Sequence, residues 1–78
     1  MDETNDSGEA IQGTYANLLL IGFSPLEVVF DFCQQYPEEG RRLCARIVTS
    51  PGYAKRFLRV IADSIAQYEN EIRRIEDE

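Results

Sequence analysis

The sequence predicts an α+β fold in which a three-stranded antiparallel meander is followed by one long C-terminal helix. Three observations favour this order. β-Branched and aromatic residues dominate the first half of the ordered part, turn residues divide that half into three runs, and the second half repeats apolar residues at helical spacing. A chain of 78 residues has a marginal core, because proteins of this size bury only about 60% of their unfolded surface. We therefore expect a further source of stability.

The first thirteen residues are predicted to form a disordered acidic tail. Residues 1–13 contain four acidic residues, no basic residue and few apolar ones. Such a segment cannot offset the entropy lost on ordering. The remaining residues, 14–78, are predicted to form a single small domain. Within it, 14–75 is nearly neutral, with seven acidic and eight basic residues.

The three predicted strands are joined by two turns. The first strand is TYANLLLIGF at 14–23, and the third is RRLCARIVT at 41–49, after the turn QQYPEEG at 34–40. Between them, SPLEVVFDF at 24–32 is compatible with a strand or a helix, because its Ser-Pro start also resembles a helix N-terminus. We favour a strand, since Phe30 and Phe32 alternate with Asp31 and the run is short. Its Ser-Pro is then a turn.

The second Ser-Pro, at Ser50 and Pro51, predicts the start of a helix that continues to the end of the domain. Apolar residues follow it at alternating spacings of four and three residues, which is typical of a helix that packs against another helix. A helix of about 24 residues is about 36 Å long, whereas an eight-residue strand spans about 26 Å. The last turns should extend beyond the sheet and pair with another copy. We therefore predict a homo-oligomer, with a dimer favoured, whose interface comprises Leu58, Ile61, Ile65, Tyr68, Ile72 and Ile75.

The charges of the helix run against its dipole. Lys55, Arg56 and Arg59 lie near the positive N-terminal end, and residues 76–78, all acidic, lie near the negative C-terminal end. An antiparallel partner helix would compensate both ends; a solvated, weakly interacting surface is the alternative. Glu69 and Arg73, four residues apart, predict an ordinary ion pair on the helix surface.

The sequence lacks the residues that most enzymes use. It has no histidine, no glycine-rich phosphate loop and no cysteine spacing typical of zinc. We expect no enzyme activity, no cofactor and no metal. Cys33 and Cys44 are predicted to be free and packed as small apolar side chains, with a cross-strand pair as the alternative. Because we find no secretory signal and no membrane-spanning run, we expect a cytoplasmic protein without a membrane partner.

A basic stretch offers the one candidate site. From Arg41 to Arg59 there are six basic residues and no acidic one: Arg41, Arg42, Arg46, Lys55, Arg56 and Arg59. Free N–H groups at the helix start, with Arg46, Ser50, Gly52, Lys55 and Arg56, would suit a phosphate or carboxylate. The alternative function is therefore anion or nucleic-acid binding through 41–59. Nucleic acid is the less favoured ligand, because aromatic RNA-binding motifs and a helix-turn-helix pattern are absent.

Several motifs resemble one family. YAN at 15–17, SPLEVVFDF at 24–32, ARIVTSPGYAK at 45–55 and YE at 68–69 are similar to the small bacterial proteins of domain-of-unknown-function family 3467. Cys33 and Arg73 depart from its pattern, where glycine is expected. The resemblance implies a compact strand-rich fold closed by a C-terminal helix, and no established activity. The order of elements is also similar in outline to SecB-type export chaperones, a likeness of topology alone.

The leading functional prediction is a non-enzymatic oligomeric protein-interaction module, either an adaptor or a chaperone-like binder. A sheet edge or the apolar helix face would supply the binding surface. Phe30, Phe32, Tyr68 and Ile72 are the candidate apolar contacts. Packing in the core is the alternative for all four, and it is the favoured interpretation for the two phenylalanines.

Overall fold

The predicted order of three strands and one helix is confirmed. A computed structural model describes residues 12–76, in which β1 (Leu18–Phe23), β2 (Val28–Tyr36) and β3 (Gly40–Thr49) form an antiparallel sheet in the order β1-β2-β3. The helix α1 (Pro51–Glu71) comes directly after β3. Most of the predicted tail lies outside the described residues, and 12–13 have no regular secondary structure.

The first strand begins four residues later than predicted, and before Leu18 one backbone bond, from the Asn17 N–H to the Cys33 carbonyl at 3.0 Å, is joined by side-chain hydrogen bonds to β2. The Asn17 side-chain amide donates to the Gln35 carbonyl at 3.0 Å, and its oxygen accepts the Gln35 N–H at 2.8 Å. The Gln34 side chain donates to the Tyr15 carbonyl at 2.7 Å. These side-chain bonds satisfy the Gln35 backbone on β2 and the Tyr15 carbonyl, and 14–17 is not a strand.

The two Ser-Pro pairs have different structures, as predicted. The backbone N–H of Ser24 donates to the Glu27 carbonyl at 2.9 Å, which closes a turn between β1 and β2. Ser50 is instead the N-cap of α1, and its hydroxyl accepts the Tyr53 N–H at 3.2 Å. The stretch that is compatible with both a strand and a helix is therefore a strand from Val28 onward.

The second turn is shorter than predicted, because β2 continues to Tyr36. Pro37 to Glu39 form the turn, and the Glu39 N–H donates to the Tyr36 carbonyl at 3.2 Å. Gly40 has a φ of 73°, a left-handed conformation that glycine adopts without steric cost. It is the residue at which the chain leaves the turn and enters β3.

The helix ends earlier than predicted. Two predictions are corrected: that Ile75 lies on the helix, and that Glu69 pairs with Arg73. Ile72 is the C-cap, with φ −111° and ψ −71°, and its N–H still donates to the Tyr68 carbonyl. The Ile75 N–H donates to the Glu69 carboxylate at 3.0 Å. Ile75 therefore lies beyond the helix, and Glu69 binds a backbone group rather than Arg73. The Ile75 N–H therefore bonds a side chain in place of the carbonyl four residues earlier that a continuing α-helix would use.

The described chain divides into two compact units. One contains residues 12–21 and 30–47, which is most of the sheet, and the other contains 22–29 and 48–76, which includes α1. Cys33, 2% exposed, is the one fully buried apolar residue between Gln12 and Glu76. Both cysteines are free, as predicted, and Cys44 is half-buried. Little apolar surface is therefore removed from water within one described chain.

Candidate interaction surfaces

The apolar stripe of α1 is exposed to solvent. We define the helix seam as the residues of the predicted interface that lie on α1 or at its cap: Leu58, Ile61, Ile65, Tyr68 and Ile72. Their exposed fractions are 65%, 55%, 45%, 40% and 65%, respectively. No residue of α1 is buried. An amphipathic helix normally buries its apolar face, so this stripe is available for a partner.

Ile75, the sixth predicted interface residue, remains close to the seam although it is outside the helix. It is 46% exposed. Together with Ile65 and Tyr68 it lines an open cleft, whose other walls are Ser64, Arg73, Arg74 and Glu76. The chain after the helix thus adds apolar surface beside the last turns, and the hydrogen bond from Ile75 N–H to Glu69 holds it there.

The sheet places its ion pair and its two phenylalanines on opposite faces. Arg46 on β3 binds Asp31 on β2 through two hydrogen bonds, with Nε to Oδ1 at 2.7 Å and Nη2 to Oδ2 at 2.9 Å. These two residues therefore share a face. By alternation along β2, Phe30 and Phe32 lie on the other face, where their ring centroids are 6.5 Å apart. Phe32 is 36% exposed and Phe30 is partly exposed, so neither ring is fully buried.

The ion pair shifts the ionisation of both partners. The hydrogen bonds from Arg46 are the main reason that the pKa of Asp31 is lowered, with a smaller opposing contribution from burial. The same bonds to Asp31 raise the pKa of Arg46. Both groups are charged near neutral pH, and Arg46, predicted to bind an anion, already has a carboxylate as its partner.

The other predicted anion-site residues lie at the start of α1. Ser50 caps the helix, and the guanidinium of Arg56 lies 5.6 Å from the centre of the Tyr53 ring, a cation–π contact. A Cβ at Gly52 would contact only the Ser50 hydroxyl, at 4.0 Å. No neighbouring atom is therefore close enough to require glycine at this position. Lys55 forms no ion pair within the described chain. Arg46 lies in the other unit. The anion site stays a prediction.

The edges of the sheet differ in chemistry. β1 and β3 are the terminal strands, so each has one edge that no further strand of the described chain pairs. β3 contains three arginines, and charge on an edge strand discourages pairing with other chains. β1, with the sequence LLLIGF, has no charged residue, and Leu19, Ile21 and Phe23 are 44%, 55% and 84% exposed. The β1 edge is therefore the uncharged strand edge that another polypeptide could extend.

Sequence reasoning missed three side chains that organise these surfaces. Asn17 and Gln34 bind backbone groups that are 18 and 19 residues away in the sequence, and no local pattern signals such long-range bonds. Tyr53 stacks on Arg56, and its position three residues before an arginine on a helix is a signal that could have found it.

The described residues lack two other kinds of site. No group of three or more His, Cys, Asp or Glu residues between 12 and 76 is arranged to hold a metal ion. In the same range, no helix is long and apolar enough to cross a membrane.

Comparison with known proteins identifies the family. The family model described as "Protein of unknown function (DUF3467)" matches residues 2–77. The chain belongs to the DUF3467 family. Neither the curated proteins nor the solved structures contain a match. The resemblance that the Ser-Pro motifs indicated is therefore confirmed, and this family assignment brings no activity with it.

Proposed function

We propose that this DUF3467 protein is a non-enzymatic, self-associating protein-interaction module that acts in the cytoplasm as an adaptor or chaperone-like binder of other polypeptides. The distribution of apolar side chains carries this proposal. Among residues 12–76, Cys33 is fully buried, whereas most large apolar side chains of β1 and α1 are exposed. Extended exposed apolar surface is typical of protein interaction sites.

The helix seam is assigned to self-association. Its residues recur at the spacing that helices use to pack against one another, and all of them are at least 40% exposed. Full burial of one Leu or Ile side chain contributes about 1.5–3 kcal/mol. A second copy that covers the four Leu and Ile side chains of the seam, together with Tyr68, would add stability that is large relative to the core of a chain this short.

The β1 edge is assigned to partner polypeptides. An extended segment that pairs with β1 would form main-chain hydrogen bonds, which do not depend on sequence, while its apolar side chains contact Leu19, Ile21 and Phe23. This mode of binding suits an adaptor or chaperone-like protein, because it selects extended apolar segments rather than one particular fold.

The ionisable groups of the sheet support a role without catalysis. The sequence has no histidine. The pKa of Asp31, the carboxylate that binds Arg46, is lowered by that contact. A general acid or base works best when its pKa is near the working pH, and this shift moves Asp31 away from that range.

Self-association is tested first, by light scattering on a sizing column at two protein concentrations. We expect the wild type to form a dimer or larger species. Ile65→Asp, which places a charge in the seam, should convert it to a folded monomer. Asn70→Asp is the matched control, because it adds the same charge five residues later, on the face of α1 opposite the seam. A monomeric wild type would refute the proposal that the seam is an interface.

Polypeptide binding is tested with a reduced, alkylated and permanently unfolded small protein as the probe, followed by fluorescence anisotropy. We expect binding that persists in 0.5 M salt and weakens in Ile21→Lys, which places a charge on the β1 edge. Leu26→Lys is the matched control, because it makes the same change at an 81% exposed residue of the neighbouring turn. Failure of the wild type to bind the probe would refute a chaperone-like role.

The same titration with single-stranded DNA tests the alternative function. Six basic residues without an acidic neighbour from Arg41 to Arg59 are the observation that favours it. DNA binding that is lost in 0.5 M salt, together with no binding of the unfolded protein, would replace the polypeptide-binding proposal with anion binding.

A further inference from the structure

We propose that two copies of this chain pair through α1 in an antiparallel orientation, so that Lys55 of each copy forms an ion pair with the partner's Glu69. This inference rests on the proposed self-association and specifies its geometry. All the residues involved lie in the unit that contains α1. Two observations support it: the position of the two charges on the helix, and the contacts that each charge already makes.

Lys55 and Glu69 lie on the same flank of the helix seam. Ala54 lies four residues before Leu58, the first seam residue, and so keeps the spacing of the seam. Lys55 is the next residue after Ala54, and Glu69 is the next residue after Tyr68. They are fourteen residues apart, which is about 21 Å along a helix axis. Ala62, seven residues from each, occupies the same flank between them, so this flank has a base at one end, a small residue in the middle and an acid at the other end.

An antiparallel pair aligns these charges with those of the partner. In such a pair, equivalent flanks face each other with their directions reversed, so the base of one copy meets the acid of the other. A two-fold axis near Ala62 produces both contacts at once, and a two-fold interface repeats every contact. A parallel pair would instead set this flank against the partner's opposite flank, where Ser50 lies level with Lys55 and Ser64 lies level with Glu69, so neither charge would meet an opposite charge.

The apolar residues fit an axis at Asp63, one residue from Ala62. Antiparallel pairing about the centre of α1 places Ile61 against the partner's Ile65, Leu58 against the partner's Tyr68, and Ala54 against the partner's Ile72. Every seam residue therefore has an apolar partner, and the small Ala54 faces the larger Ile72. The dipoles of the two helices also oppose each other in this orientation.

The contacts within one chain leave both charges able to pair. Lys55 has no ion pair with any described residue. Glu69 uses Oε2 to accept the Ile75 N–H at 3.0 Å, and Oε1 makes no hydrogen bond within residues 12–76. Glu69 is also the one acidic residue of α1 that is partly buried, next to the exposed seam. Its position suits an ion pair at the rim of a helix–helix interface.

The test is a charge exchange, measured by sedimentation equilibrium at low salt. Lys55→Glu gives a chain with acids at both paired positions, and Glu69→Lys gives a chain with bases at both. We expect each variant alone to dimerise about tenfold more weakly than the wild type, because like charges replace two exposed ion pairs. An equimolar mixture of the two variants should recover wild-type affinity as a heterodimer, because both contacts are then complementary.

Two control variants separate this effect from net charge. Arg59→Glu and Asp63→Lys make the same charge changes on the polar face of α1, and neither should alter dimerisation more than about twofold. If the mixture is no more dimeric than the separate variants while the wild type is a dimer, antiparallel pairing through these residues is overturned and self-association stands. If the wild type is a monomer, the proposed self-association itself fails.

Discussion

At the scale of single residues, long-range polar contacts determine which side chains share a face of the sheet. Arg46 and Asp31 are fifteen residues apart in the sequence and form the one ion pair of the described chain. The Asp31 side chain is 21% exposed, and that of Arg46 is 58% exposed. A partly exposed pair with two-pronged geometry contributes more than a typical surface pair, because its orientation is fixed by two bonds.

This pair should make stability depend on pH in the acid range. The pKa of Asp31 is lower in the folded chain than in the unfolded chain. Its contribution is therefore complete above about pH 4, the unfolded value, and is lost as the pH falls through the folded value. We expect Asp31→Asn to lower the melting temperature at pH 7, and the difference from the wild type to shrink toward pH 2.

The control for this prediction is Glu38→Gln in the turn after β2, a carboxylate without an ion pair in the described range. It should leave the melting curve at pH 7 nearly unchanged. A constant difference between Asp31→Asn and the wild type at every pH would mean that the substitution acts through packing rather than through the charge.

At the scale of elements, the two Ser-Pro pairs show how far local patterns determine structure. Both have the residues of a helix N-cap, yet only Ser50 caps a helix. The difference lies in the residues after each pair, since Val28 to Phe32 alternate as a strand does, whereas Ala54 onward recurs as a helix does. The order of elements could therefore be predicted from local sequence.

The element boundaries could be predicted less well, because they depend on contacts between distant residues. The start of β1 is accompanied by the Asn17 side chain binding Gln35, and the end of α1 is accompanied by Glu69 binding the Ile75 N–H. Neither bond can be inferred from periodicity. The same limit applies to the candidate surfaces: five of the six interface residues lie on the helix or its cap as predicted, and Ile75 does not.

The N-cap has a measurable energetic role. Ser50→Ala removes the acceptor of the Tyr53 N–H and should lower the free energy of unfolding by about 1 kcal/mol. Ser24→Ala is the matched control, because the Ser24 turn is closed by its backbone N–H, which the substitution keeps. Urea unfolding followed by circular dichroism compares the two variants. Equal losses would mean that the Ser50 hydroxyl does not act as a cap.

At the scale of the whole molecule, the scarcity of buried apolar residues means that the proposed self-association would couple folding to association. Within the described residues of one chain, Cys33 alone is fully buried, and the helix seam contacts solvent. A domain this small gains little from its own core, so a partner that covers the seam adds a large fraction of the net stability.

This coupling predicts a melting temperature that rises with protein concentration. A dimer would form from folded chains and not from unfolded ones, so each increase in protein concentration would favour the folded state by mass action. We expect a hundredfold increase in concentration to raise the wild-type melting temperature by several degrees. Ile65→Asp should melt at a lower temperature that does not change with concentration, and Asn70→Asp should behave as the wild type. A wild-type melting temperature independent of concentration would show that one chain folds without a partner, and the exposed seam would then have to serve a different molecule.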